Sequence, residues 1–174
     1  MAQPYPDALS VSRKALRILI TLNWLFGASI LALLIATLVA EEPVMRALGA
    51  PLDAGNSHLI LGMRLIMVIG VTAAPIANVI LSRLLSIVET VRAGDPFVTE
   101  NASRLQTIAW AVLALELMHL AVAGIAATAS SAARPLHIDW NLSVTPWLAV
   151  LLLFVLSRVF EHGARMREDL QGTV

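Results

Sequence analysis

The chain has 174 residues, of which 58% are apolar and 14% charged, with a formal net charge of zero and no cysteine. A soluble domain carries about 25% charged and about 45–50% apolar residues, so this composition excludes an ordinary water-soluble fold and points to an integral membrane protein. The missing cysteines exclude disulfides, thiolate metal sites and cysteine nucleophiles, and the balanced charge gives no electrostatic footprint for direct binding of nucleic acid.

Four runs are long enough for a hydrocarbon core about 30 Å thick, which a helix of about 20 residues crosses. The amino-terminal PYPDALSVSRKALRI is expected to begin as an interfacial helix with Asp7 or Ser10 near its cap and to feed into the first span, about 15–40. That span is longer than the 7–15 apolar residues of a secretory leader, and no clean small-residue cleavage site follows it, so it is expected to stay in the protein. EEPVMRALGAPLDAGNSH, from Glu41 to His58, reads as a short outer connection. The second span, about 59–88, contains Arg64 and Pro75. A cytoplasmic connection, about 89–103, leads to the third span, about 104–131. A second outer loop carries Trp140 and Trp147 where indoles favour the interface, and the fourth span, about 144–163, precedes a tail, 164–174.

Basic residues orient these spans. Arg13, Lys14, Arg17, Arg83, Arg92, Arg104, Arg158, Arg165 and Arg167 flank one side, against Arg46 and Arg134 on the other. Both termini and the central connection are therefore expected in the cytoplasm. Because successive spans alternate in direction and their connections are short, the expected fold is all-α, an integral membrane four-helix up-down bundle forming one domain over 1–174. Bacterial inner membrane is the expected location, the lipid bilayer the first partner, and a homodimer through small-residue faces a further expectation.

The third span holds two titratable residues, Glu116 and His119, three apart and so on one helix face. That face continues through Ala109, Val112, Ala123, Ala127 and Ser130 and is expected to pack inward, with Leu115, Met118, Val122 and Ile125 turned to lipid. A carboxylate at the bilayer centre costs about 2.5–3.5 kcal/mol on insertion scales, so Glu116 is expected to find a partner or a proton. Arg64, about 8 Å from the outer end of the second span at 1.5 Å per residue, is the expected partner. Asn78, on one face with Pro75 and Ser82, is expected to meet Asn23, which completes a polar seam of Arg64, Asn78, Glu116 and His119. The seam reads as interhelical packing, with a proton path as the competing reading. One Glu-x-x-His does not make a di-metal bundle site, which needs the motif twice with further carboxylates, so no metal, cofactor or catalytic residue is expected. His58, His137 and His162 read as solvated side chains.

The cytoplasmic side is more distinctive. In VRAGDPFVTENASRLQTIAW, Gly94 is expected to end a helix, Asp95-Pro96 to turn the chain and Thr99 to cap the next helix, while Phe97 and Val98 are free to fold back or rest in the interface. The stretch Gly94-Asp95-Pro96-Phe97-Val98-Thr99-Glu100-Asn101 with Arg104-Leu105, together with the ending Phe160-Glu161-His162-Gly163-Ala164-Arg165-Met166-Arg167-Glu168-Asp169-Leu170-Gln171-Gly172-Thr173-Val174, resembles the bacterial four-span membrane family catalogued as domain of unknown function 2975. The resemblance implies two segments on one side of the membrane and a cytoplasmic regulator protein as partner, and it carries over no catalytic residue. Asp95, Pro96, Phe97, Asn101, Arg104, Arg165, Arg167, Glu168 and Asp169 are accordingly expected to form a surface that engages a partner protein or anionic lipid.

Overall fold

A computed structural model describes residues 8–48, 57–129 and 143–171. They form five α-helices, with no strand among the described residues: α1 Ala8–Val39, α2 Glu41–Ala47, α3 Ser57–Arg92, α4 Thr99–Ala129 and α5 Thr145–Gln171. All but α2 are long and apolar enough to cross a membrane, which makes this an all-helical, multi-pass membrane protein. Lipid leaves no alternative within such runs, because a helix satisfies every backbone group internally. Large apolar side chains point away from the chain, as Leu25 and Phe26 do on α1. In water that exposure would be costly, and in hydrocarbon it costs nothing.

Several boundaries differ from the sequence expectation. The amino-terminal helix and the first span are one continuous α1. The tail expected at 164–174 is helical as far as Gln171, a direct extension of α5. The connection between α1 and α3 contains α2, held by acidic Glu41 and Glu42 in its first turn, Arg46 in its last, and an Arg46–Glu42 pair at 2.6 Å. Ser130, Arg134, His137 and Trp140 lie outside the described residues.

Two compact units are distinguishable. The first draws on Met1–Asn23, Ile76–Ala114 and Ser143–Val174. Its packing rests on Leu105, Ile108 and Ala109 of α4 with Val150 and Ala164 of α5, all buried. The Ser157 hydroxyl donates to the Ala102 carbonyl at 3.1 Å, and the Trp110 and Phe154 rings meet edge-on at 5.2 Å. Arg13 and Arg17 of α1 both reach Glu89 of α3, at 3.4 and 3.9 Å. The second unit draws on Trp24–Pro75 and Leu115–Leu142. Here small residues set how near the helices come. A methyl at Gly27 would lie 2.7 Å from the Ala74 methyl, and one at Gly62 would overlap Ala129. Met45 of α2 is fully buried with Leu59 and Ile60, so the short helix is pinned by its own apolar contact.

Along α4 the inward stripe is shifted from the one expected. Ala109 and Ala123 are buried, but Ala126 and Ala129 continue the buried row while Ala127 is exposed. From Ala123 onward the buried row steps by three, through Ala126 and Ala129, and so falls one position earlier than the expected Ala127 and Ser130.

Candidate functional site

The connection between α3 and α4 is built by local rules. Gly94 takes φ +85°, the left-handed conformation that only glycine adopts at no steric cost. The Asp95 N–H then donates to the Thr90 carbonyl and the Gly94 N–H to the Val91 carbonyl, both at 3.1 Å, a Schellman pair that satisfies the last carbonyls of α3. Thr99 is the first residue of α4 rather than its cap, and the Asn101 N–H donates to the Val98 carbonyl at 2.9 Å.

Asn101 is the hub of this turn. It is 0% exposed, and its Nδ2 donates to Thr90 Oγ1 at 2.8 Å and to the Pro96 carbonyl at 2.9 Å. Its Oδ1 accepts from Arg104 Nη1 at 2.8 Å. One amide thus ties the last turn of α3, the connection and the first turns of α4. The connection is in turn fastened to α5. Asp95 accepts a charge-assisted hydrogen bond from Arg167, the Phe97 ring meets Phe160 at a 38° tilt with centroids 5.4 Å apart, and a methyl at Gly163 would lie 2.9 Å from the Phe97 ring. Gly163 is a notch that admits the ring.

Of the nine residues expected to face a partner, Asp95, Pro96, Phe97, Asn101, Arg104 and Arg167 are therefore engaged within the chain, with Asn101 buried outright. Arg165 is exposed and pairs with Glu161 at 2.6 Å, and Asp169 is exposed on the last turns of α5. Glu168 lies in α5, its side chain outside the described ones. Sequence reasoning missed Ser157, Glu161 and Gly163. Gly163 in the middle of a helical run was the available signal, since an interior glycine costs about 1 kcal/mol and marks close packing.

The intramembrane residues separate. Arg64 does not pair with Glu116. Its Nη2 donates to the Thr37 carbonyl at 2.7 Å and to Glu41 Oε1 at 2.9 Å, closing the last turn of α1. A long basic side chain near a span end reaches outward to a polar partner at less cost than inward to one in the core. Thr37, fully buried, turns its hydroxyl onto the Leu34 carbonyl. Asn78 is half-buried, and its Oδ1 accepts no hydrogen bond among the described residues.

Glu116 and His119 remain together on α4. Glu116 is half-buried and, among the described residues, has no ion pair or hydrogen bond. His119 is exposed although it lies on the row of buried Ala123 and Ala126, because an apolar groove of about 440 Å³ opens beside it. Phe26 and Ile30 of α1, Met67 and Gly70 of α3, and Leu115 and Met118 of α4 line that groove. Among the described residues, no three His, Asp or Glu side chains gather closely enough to hold a metal ion.

A family model described as protein of unknown function (DUF2975) matches residues 33–174. No curated protein and no solved structure matches the chain.

Proposed function

Since this chain belongs to the DUF2975 family of proteins of unknown function, we propose from its geometry that it is a non-enzymatic platform of the bacterial inner membrane, whose cytoplasmic connection and tail engage a partner protein or anionic lipid. The supporting observation is the brace of Asp95 and Phe97 against Arg167, Phe160 and Gly163, with Asn101 holding the connection that carries the first two. It spends six recognisable residues on holding a shape. A surface fixed before binding loses less entropy on docking than one that orders at contact. What the brace leaves exposed is one face of α5, with Arg158, His162, Arg165, Met166 and Asp169. The same reading places four spans in an up-down order within one membrane domain, both termini in the cytoplasm. The nine-to-two distribution of basic residues supports that orientation, and Arg64, matched by Glu41, does not oppose it.

The test is a charge exchange across the brace. Asp95→Arg alone and Arg167→Asp alone are each expected to reduce co-purification of the cytoplasmic partner from membranes by about tenfold, a figure set by losing about 1.4 kcal/mol of ordering. The double exchange is expected to restore most of it. Equal capture by all four forms defeats the reading.

A second reading is carried by Glu116, a half-buried carboxylate with no partner among the described residues, one turn from an imidazole. Intramembrane carboxylate and histidine pairs mark proton pathways. On this reading the protein is a small proton-coupled transporter or sensor, and Glu116→Gln abolishes a pH-gradient-driven signal in reconstituted vesicles. The absence of any such signal from the native protein leaves Glu116 a packing residue.

A further inference from the structure

A second groove, of about 360 Å³, runs between α4 and α5 and is lined by Gln106, Phe154, Val155, Ser157, Arg158 and Glu161. Its walls are fixed. Ser157 is buried and bonded to the Ala102 carbonyl, and Phe154 stands edge-on to Trp110. Its lining changes character along the helix. Thr145 to Ser157 carries no charge, and Arg158, about 20 Å along α5 at 1.5 Å per residue, is the first charged side chain. Phe154 and Val155 therefore lie on the hydrocarbon side and Arg158, Glu161 and Gln106 on the headgroup side.

The charges at the rim do not cancel. Glu161 accepts from Arg158 at 2.9 Å and from Arg165 at 2.6 Å, two cations around one carboxylate. A guanidinium has five N–H donors, and Arg158, its side chain 76% exposed, commits one of them to a described residue. The Gln106 side chain is exposed and has no hydrogen bond among the described residues. Donors with surplus positive charge, above an apolar wall at the membrane boundary, are complementary to a phosphodiester that carries an acyl chain.

We propose that this groove is a site for one anionic phospholipid, its phosphate on Arg158 and Gln106 and its acyl chain along Phe154 and Val155. A partner protein does not fit it as well, because half of the groove opens to hydrocarbon. The site deepens the platform reading, on which this end of α5 meets the headgroups. It names which lipid class belongs to the platform and where.

The full chain, reconstituted in nanodiscs of equal phosphatidylglycerol and phosphatidylethanolamine and released into native mass spectrometry, tests this. The native protein is expected to retain one phosphatidylglycerol, at least about fivefold over phosphatidylethanolamine, the ratio expected for one arginine at a headgroup. Arg158→Gln and Gln106→Leu each lose that preference, while Arg83→Gln, which removes an exposed arginine outside the groove, keeps it. Gln106 has no hydrogen bond to lose among the described residues, so its variant reports on the site even where Arg158→Gln fails to fold. Equal retention of both lipids by the native protein, or a preference unchanged in the folded Arg158 and Gln106 variants, overturns the site. Asp95→Arg leaves the groove residues in place. Loss of partner capture in Asp95→Arg with phosphatidylglycerol retained supports the site and the platform together; loss of capture with no lipid preference overturns the lipid site alone, and capture intact with the preference retained overturns the platform alone.

Discussion

Asn101→Ala is expected to lower stability in detergent by about 2–4 kcal/mol, the largest loss for any polar side chain outside the ion pairs. The substitution removes three hydrogen bonds at once and leaves the Pro96 carbonyl and the Arg104 guanidinium without the partner that offsets their burial. A buried group left unsatisfied costs about 1–3 kcal/mol, and a hydrogen bond to a charged group is at the upper end. Thr90→Val removes one of the three and is expected to cost about 1 kcal/mol. Thermal or denaturant unfolding of the purified chain measures both. Protease nicking of residues 93–98 distinguishes a loosened turn from a generally weakened protein, and an Asn101→Ala protein as stable as Thr90→Val removes the hub from the account of this fold.

Gly62→Val is the apolar counterpart. Carbon atoms of neighbouring side chains rest about 3.5–4.0 Å apart, and a first added carbon at Gly62 already overlaps Ala129, on a side of α3 that is buried. Neither atom is the end of a flexible side chain, so α3 and α4 must move apart in the second unit. Overpacking of this kind costs about 1–3 kcal/mol, and in lipid, where van der Waals contact is a main source of helix association, the lost contact along the whole seam adds to it. Gly62→Ala is expected to be intermediate, and the pair Gly62→Ala with Ala129→Gly to recover most of the loss. Unfolding in a denaturing detergent titration reads this series. If the exchange pair is no more stable than Gly62→Ala alone, the two residues are not the limiting contact.

The parts of this fold that were legible in the sequence are those set by short-range physics. Four apolar runs gave four helices, and Gly94 with Asp95-Pro96 gave the end of α3, because a left-handed residue and a helix stop need only their neighbours. What was not legible depended on where distant residues meet. Phe97 had no partner readable from its surroundings, and its ring rests in the notch of Gly163 on another helix. Arg64 was matched to Glu116 by depth along the spans, whereas a flexible cation is drawn to the nearer polar end, where Glu41 waits. Glu41 itself was hidden inside a stretch read as loop, since α2 has only seven residues and a helix so short owes its stability to Met45 and its contacts. Of the residues expected on a partner surface, Asp95 is bonded to Arg167 and Phe97 rests against Phe160 across 72 and 63 residues of chain, and no local pattern announces pairings so far apart.

The hub at Asn101 also orders events in time. Its three side-chain bonds span 11, 5 and 3 residues, whereas Arg167 meets Asp95 across 72 and Ser157 meets Ala102 across 55. Closing a short loop is cheaper in entropy than closing a long one, and synthesis delivers the near partners first. The hairpin of α3 and α4 therefore completes its own turn while α5 is still being made. The last helix then meets a turn already set by Asn101, so a chain released with α5 deleted is expected to keep that turn while leaving Asp95 and Phe97 without their partners.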